Sequence, residues 1–345
     1  MIIQGEGKGH FSQAMEAGTR LAECGTEIRR CYLGVSLFRR TPSYFKESCP
    51  YPLKTFLSPN FLRTPDRKGI LVFLSLAVNF LLLPFYLFEV ARLGWMLNRD
   101  RCDRILNFYD PLGGLAARWF RRGAKKITLS HHFYLSHPDF IHPHGLEGSY
   151  FWLQLMNRFM LKQSDRALAL SFRHGARHGK IEVIPPLVGS HVRNIQHKKG
   201  KSDLCYFLNE GFAREVIDLY RAEPGRVADV FSDLAGSGDV PVNVTLHAPS
   251  RELFPEKMKR CRRIITTAGF DTVAEAMYLG VAVFVLPAVN HYEQYCNALD
   301  ASRTGMAFQV GSAGEGLRAE FEPVNNEKFR ERVNSFDFCR TIWLS

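Results

Sequence analysis

The sequence predicts an α/β protein built from two parallel-sheet domains. Three observations carry that expectation. The chain has 345 residues, more than one ordinary core accommodates. Short apolar runs alternate with helical stretches, the pattern of a parallel sheet covered on both faces. Near the middle, two prolines and the polar basic run "SHVRNIQHKKGKSD" interrupt the alternation as an interdomain linker would. The boundaries that follow are 1–187 for the first domain, 188–335 for the second and 336–345 for a tail. With 46% hydrophobic and 23% charged residues, the composition excludes a disordered chain.

The first half opens with a very short strand at 1–4 and a glycine-rich turn, followed by a helix from about Phe11 to Cys24. A strand comes next near Arg30 to Val35, then a polar stretch, an apolar helix over 70–88 and the strand "RILNFYD" from Arg104 to Asp110. "IEVIPPLVG" closes the domain. The second half runs as strand "LCYFLN", a turn at Gly211, a helix, and the strands "RVADVFS", "VNVTLHA" and "RRIITTAG". A helix, the strand "VAVFVLP" and a helix from His291 complete it.

The formal charge is +11 and the pI about 9.3, which calls for an acidic partner: a phosphate ligand, an anionic membrane face or nucleic acid. No aromatic-basic module accompanies the charge, so nucleic acid is not expected. The eight cysteines show no C-x-x-C or Cys/His ligand spacing and follow no secretory signal. That predicts a reduced, cytosolic compartment and no structural zinc. Residues 70–88 carry no charge, long enough for a transmembrane helix. Ser75, Asn79 and Pro84 interrupt them, however, and basic residues flank both ends. A helix resting on a bilayer surface is the preferred reading.

The chemistry concentrates at strand-to-helix turns. In "TTAGFDTVAEAMYLG", Thr267, Ala268 and Gly269 lead into a helix beginning at Phe270. Backbone N–H groups and the helix dipole make such a start an anion site, and small side chains let a phosphate come close. The plain alternative is a tight turn with Thr267 or Asp271 as cap. Glu275 is either a solvated carboxylate or the acceptor for a ribose diol. In "LPAVNHYEQYCNALDA", Asn290 and Glu293 have capping-box spacing, and Asn290, Gln294 and Asn297 share a helical face. Two consecutive turns at the carboxyl ends of parallel strands are where open α/β sheets bind nucleotides.

"GEGKGHFSQA" fails as a P-loop because Lys8 is followed by Gly9, and fails as a dinucleotide fingerprint because its third glycine is misplaced. "FYDPLGGLAA" gives another glycine turn, in which Asp110 is either a plain turn residue or a functional carboxylate. "SHHFYLSHPDFIHPHG" holds five histidines without a metal-ligand pattern.

The segment "RRIITTAGFDTVAEAMYLGVAVFVLPAVNHYEQYCNA" resembles the donor-binding segment of GT-B glycosyltransferases. That group includes the peptidoglycan N-acetylglucosaminyltransferase, plant galactolipid synthases and UDP-glucuronosyltransferases. One departure stands out: Val281-Ala282 sits where the family usually has a residue followed by proline. The resemblance implies a GT-B fold, two Rossmann-like domains with parallel sheets facing across a cleft. It implies a donor held by the C-terminal domain through Gly211, Leu246, His247, Thr267, Ala268, Gly269, Phe270 and Glu275, with Asn290, His291, Glu293, Gln294 and Asn297 from the next unit. It also implies a G-x-G-x-x-H-type loop in which Gly7 and Gly9 approach phosphate or acceptor and His10 acts as general base or positions substrate, with Asp110 orienting His10 or the acceptor. The histidine-rich stretch would then form an acceptor rim.

On this reading the donor is a UDP-sugar, serving as co-substrate with no cofactor. No metal is expected, since no D-x-D occurs and oriented amides stabilise the departing diphosphate. The acceptor hydroxyl belongs to a lipid or lipid-linked glycan, and the partner surface is a membrane, with the protein cytoplasmic and peripheral at its inner face. A nucleotide-sugar 2-epimerase and a non-catalytic nucleotide-sugar-binding protein are the alternatives.

Overall fold

The computed structural model describes residues 1–5, 8–37, 45, 48–59, 72–207, 209–236, 239–250, 252–288, 291–322 and 324–343. The chain divides into two compact units. One comprises Met1–Leu187 together with Phe336–Ser345, the other Val188–Ser335.

The first unit holds seven parallel strands in the order β3-β2-β1-β4-β5-β6-β7. They are β1 (Ile2–Gln4), β2 (Cys31–Val35), β3 (Leu53–Leu57), β4 (Arg104–Phe108), β5 (Lys125–Leu129), β6 (Arg166–Leu170) and β7 (Ile181–Ile184). From β1 the chain winds first toward β3 and then, beyond β1, toward β7. Right-handed crossovers therefore send the connecting helices to opposite faces. Helix α1 (Lys8–Glu23) covers one face. Helices α3 (Leu83–Asp100), α4 (Pro111–Phe120) and α5 (Glu147–Gln163) cover the other, with α3 packed on α4 and α4 on α5.

The apolar stretch read as one helix over 70–88 is two in the structure: α2 (Val72–Leu81) ends and α3 begins beyond Leu82, with Pro84 in its first turn. Proline lacks the N–H that a helix interior needs but is tolerated where that donor would be spare. The second helix then runs on to Asp100, burying Tyr86, Val90, Leu93, Met96 and Leu97. Each such side chain contributes about 1.5–3 kcal/mol on leaving water. Residues 70 and 71 lie outside the described residues. Among the described residues no helix is long and apolar enough to cross a membrane. Strand β3, in the stretch read as a polar connection, pairs with β2 along its whole length.

Cys24, just past α1, is disulfide-bonded to Cys339 in α13 (Phe338–Trp343), 315 residues away. A disulfide is the opposite of what a reduced compartment predicts for these cysteines.

The second unit holds six parallel strands in the order β10-β9-β8-β11-β12-β13: β8 (Asp203–Tyr206), β9 (Ala228–Phe231), β10 (Val244–His247), β11 (Ile264–Thr266), β12 (Val283–Val285) and β13 (Ala307–Gln309). Its helices are α6 (Ser190–Arg193), α7 (Glu210–Ala222), α8 (Leu253–Met258), α9 (Phe270–Leu279), α10 (Tyr292–Ser302), α11 (Ala313–Arg318) and α12 (Glu327–Ser335). Buried Arg263 ties the sheet to α11: its guanidinium donates to the carbonyls of Gly316 and Ala319 at 2.8 Å and lies 3.3 Å from the Asp203 carboxylate. Gly280 closes α9 in the left-handed region at φ 72°, where a side chain would be strained.

Candidate functional sites in the two units

Each sheet reverses its winding once, at β1/β4 in the first unit and at β8/β11 in the second. The turns leaving such a pair diverge to opposite faces and open a crevice at the carboxyl edge. The residues singled out by sequence sit largely on these turns.

In the first unit the turns after β1, β4 and β5 lie side by side. His10, in the first turn of α1, is 8% exposed. Its ring centroid lies 6.1 Å from Tyr109, 6.3 Å from His131 and 5.8 Å from His132. His131 and His132 are 4.2 Å apart at the start of a 3-10 helix, His131–Ser136, which Ser130 caps. Tyr109 stands in the left-handed region at φ 62°, a conformation costing a non-glycine residue about 1–3 kcal/mol unless its surroundings hold it. Those surroundings are on hand: its hydroxyl donates to Asn157 Oδ1, and Asn157 Nδ2 donates at 2.7 Å to the His132 carbonyl. Part of the histidine-rich stretch thus stands beside His10.

Asp110 is fully buried as the N-cap of α4. One carboxylate oxygen accepts from the Gly113 N–H at 2.7 Å and the other from Ser58 Oγ at 2.7 Å. A methyl group on Gly34 would fall 2.4 Å from Oδ2, so glycine is needed there. Burial pushes this carboxyl up to about 6, against the pull of the Gly113 and Ser58 hydrogen bonds. The bonds are those of a cap, and they fix the turn that carries Tyr109. Gly9 lies in the first turn of α1; Gly7 lies outside the described residues.

In the second unit, Gly211 and the Thr267–Gly269 turn leave β8 and β11, the two strands flanking the reversal. Gly269 is the N-cap of α9 and has no side chain to cap it. The helix's own ladder leaves its first N–H groups over. Ala268 is buried and its carbonyl accepts from Asn297 Nδ2 at 3.0 Å, while the Ala288 N–H donates to Gln294 Oε1 at 2.8 Å. Two of the amides read as one polar row thus brace the backbone of two successive turns. Phe270 is buried at the start of α9. The Gly211 N–H donates to Asn209 Oδ1 at 2.8 Å, within the cap of α7.

The N-cap of α10 is His291. Glu293 is therefore the second helical residue rather than the third, and the capping-box register expected from Asn290 is displaced by one. Asn290 itself lies outside the described residues. Leu246 and His247 end β10, with His247 Nε2 2.8 Å from Asp229 Oδ1 and its ring stacked on Phe231 at 4.7 Å. Burial alone would push Asp229 up, but hydrogen bonds from Lys257, His247 and Ser202 outweigh it and hold the carboxyl below its ordinary value.

Glu275 is partly buried and lies 3.8 Å from His191 Nε2 on α6. The His191 ring folds over Gly189, where a methyl would approach it to 2.3 Å. Sequence reasoning assigned this histidine to a linker and missed Tyr109 and Asn157 altogether. Only the glycine-histidine spacing at 189–191 carried any signal for the first.

Residues 121–315 match the family described as glycosyl transferase family 1. No curated protein sequence matches. Among solved structures, the glycosyltransferase of kitacinnamycin aligns at 16% identity and a TM-score of 0.67, covering 99% of this chain and 97% of the other. MurG of Acinetobacter baumannii aligns at 14% and 0.55, covering 90% and 85%. Phytolacca americana UGT2, complexed with UDP-2-fluoro-glucose and pterostilbene, aligns at 13% and 0.58, covering 99% and 91%.

Proposed function

This chain belongs to glycosyl transferase family 1 and has the two Rossmann-like sheets of the GT-B fold, and we propose that it transfers a sugar from a UDP-sugar to a hydroxyl of a lipid or lipid-linked glycan at a membrane surface, without a metal. The observation that carries this reading is the start of α9 at the sheet reversal, where the N-cap is Gly269 and the turn is braced by Asn297. Such a start offers N–H groups and a positive dipole end to a diphosphate. Structural neighbours hold matching ligands: UDP-2-fluoro-glucose in the Phytolacca enzyme and thymidine diphosphate in a spinosyn rhamnosyltransferase.

In the proposed reaction the acceptor oxygen attacks the anomeric carbon and its proton passes to His10. The bond from that carbon to the diphosphate breaks, and the electron pair leaves with UDP. A single displacement of this kind inverts the configuration. The start of α9, after Thr267, Ala268 and Gly269, turns its positive dipole end to the growing negative charge, with Phe270 and Gly211 beside it. Glu275 accepts from the ribose diol, and Leu246 and His247 border the base. Asp110, Tyr109 and Asn157 position the turns around His10.

The test is a panel of UDP-sugars scored by thermal shift and by UDP release with lipid acceptors. A ligand at 100 times its Kd raises stability by about 2.7 kcal/mol. Failure of every UDP-sugar to stabilise the protein, or an epimerised sugar formed without acceptor, would overturn the reading. Within it, Glu275→Ala is expected to weaken UDP binding by about 1–3 kcal/mol, the value of a hydrogen bond to a charged group. Titration calorimetry checks this, and an unchanged Kd removes Glu275 from the ribose.

A further inference from the structure

The face of the first unit formed by α3, α4 and α5 carries an unusual surface. These three helices run from the carboxyl edge of the sheet, where His10 stands, to the opposite edge. They expose large apolar side chains: Phe85 and Phe88 near the start of α3, at 62% and 65%, Phe151 near the start of α5 and Leu155 at its middle. Their ends expose cations: Arg99 on α3, Arg118 at the end of α4 with Arg122 just beyond it, and Arg158 and Lys162 on α5. Three of the protein's four tryptophans, Trp95, Trp119 and Trp152, sit on the same helices and are about half exposed or more. Gly94 makes the face continuous, because the Phe120 ring lies where a side chain at 94 would be. A single exposed apolar residue needs no explanation, but a patch of this extent marks an interaction site.

At the basic end, Arg118, Trp119, Arg122 and Lys126 line a cavity of about 380 Å³. Lys126 is held in place by donating to the carbonyls of Ala124 and Arg122 at 2.7 and 3.2 Å. Asp165, 3.8 Å from Arg118 and 3.9 Å from Lys126, is a single carboxylate against three cations. The cavity therefore suits an anion. Exposed apolar side chains mixed with tryptophans and bordered by cations have the composition of a surface that lies at a bilayer interface.

We propose that this face docks on an anionic phospholipid bilayer, with a headgroup phosphate seated in the Arg118–Trp119–Arg122–Lys126 cavity. Charge complementarity selects this occupant over a second copy of the chain, whose basic band would meet its own kind. The proposal rests on the reading that transfer occurs at a membrane, and it deepens that reading by naming the surface and the headgroup.

The experiment uses the full chain with phosphatidylcholine vesicles, with and without phosphatidylglycerol, read by flotation and tryptophan emission. UDP affinity is measured in parallel. The parent should bind anionic vesicles with a blue shift in emission. Arg118→Glu with Arg122→Glu should weaken that binding roughly tenfold or more, as expected for charges near an anionic surface. Phe88→Asp with Phe151→Asp should abolish the blue shift, and both variants should bind UDP as the parent does. Parent protein that ignores both vesicle types would overturn the face and the membrane location together. Equal flotation of the arginine variant would overturn the headgroup site alone. A concentration-dependent dimer that Phe88→Asp with Phe151→Asp dissolves, without vesicle binding, would assign the face to a second copy. Loss of UDP affinity in the parent would strike the transfer reading and leave the surface untouched.

Discussion

Replacing His10 by alanine is expected to lower the rate of sugar transfer by roughly 10²- to 10⁴-fold, the usual contribution of a positioned general base. The groups proposed to hold the donor belong to the other unit, so UDP affinity should not change. His10 sits with His131, His132 and Tyr109 around it on turns from three neighbouring strands. A residue that only filled this cluster would be replaced well by one of similar shape. His10→Gln separates the cases: glutamine keeps a polar side chain of comparable reach but does not accept a proton near neutral pH. If the glutamine variant retains full turnover with a lipid acceptor, His10 is a packing residue and the base lies elsewhere. Stopped assays with radiolabelled UDP-sugar resolve a loss of this size easily.

The sequence held more of the second unit than of the first. In the second, strand, turn and helix follow one another closely, and a local string such as "TTAGFDTVAEAMYLG" already contains strand end, turn and helix start. The first unit is specified by distant pairs. Strand β3 is legible only as the partner of β2, since its burial alternates irregularly and its flanks are polar. Tyr109 takes a left-handed backbone because Asn157, 48 residues later, holds its hydroxyl. No local signal marks an aromatic residue for that conformation. Cysteine spacing along the chain likewise says nothing about which sulfurs meet when the first and last helices of the unit pack together, as α1 and α13 do. The break at Leu82 was partly legible. Pro84 weakens a continuous helix, but proline in a first turn is compatible with a new helix, and continuation to Asp100 was hidden by the rise in polarity after Phe88.

Asp110 gives the second large effect, on stability rather than rate. Its carboxyl is pushed up to about 6 from an ordinary 3.8 by complete burial at the α4 cap. The folded chain therefore holds this proton more tightly than the unfolded chain. The resulting stabilisation is fully present below about pH 4 and is lost as the pH rises through about 6. A shift of two units corresponds to about 3 kcal/mol. Asp110→Asn keeps the acceptor for the Gly113 N–H, since asparagine caps helices as well as aspartate does, and removes the titration. Between pH 4 and 7 the parent should lose about 3 kcal/mol relative to the variant. All four tryptophans belong to the unit containing Asp110, so denaturant unfolding followed by tryptophan emission reports on that unit without contribution from the other. Parallel pH dependence in parent and variant would mean that the buried carboxyl does not titrate as its surroundings dictate. An ionised, buried aspartate at neutral pH is a standing cost beside a strained Tyr109, and local costs of this kind persist where the surrounding structure over-determines them and where function uses the geometry. Relief of the cost in Asp110→Asn with loss of transfer activity would place the turn in the service of His10; relief with activity intact would leave it a feature of the fold alone.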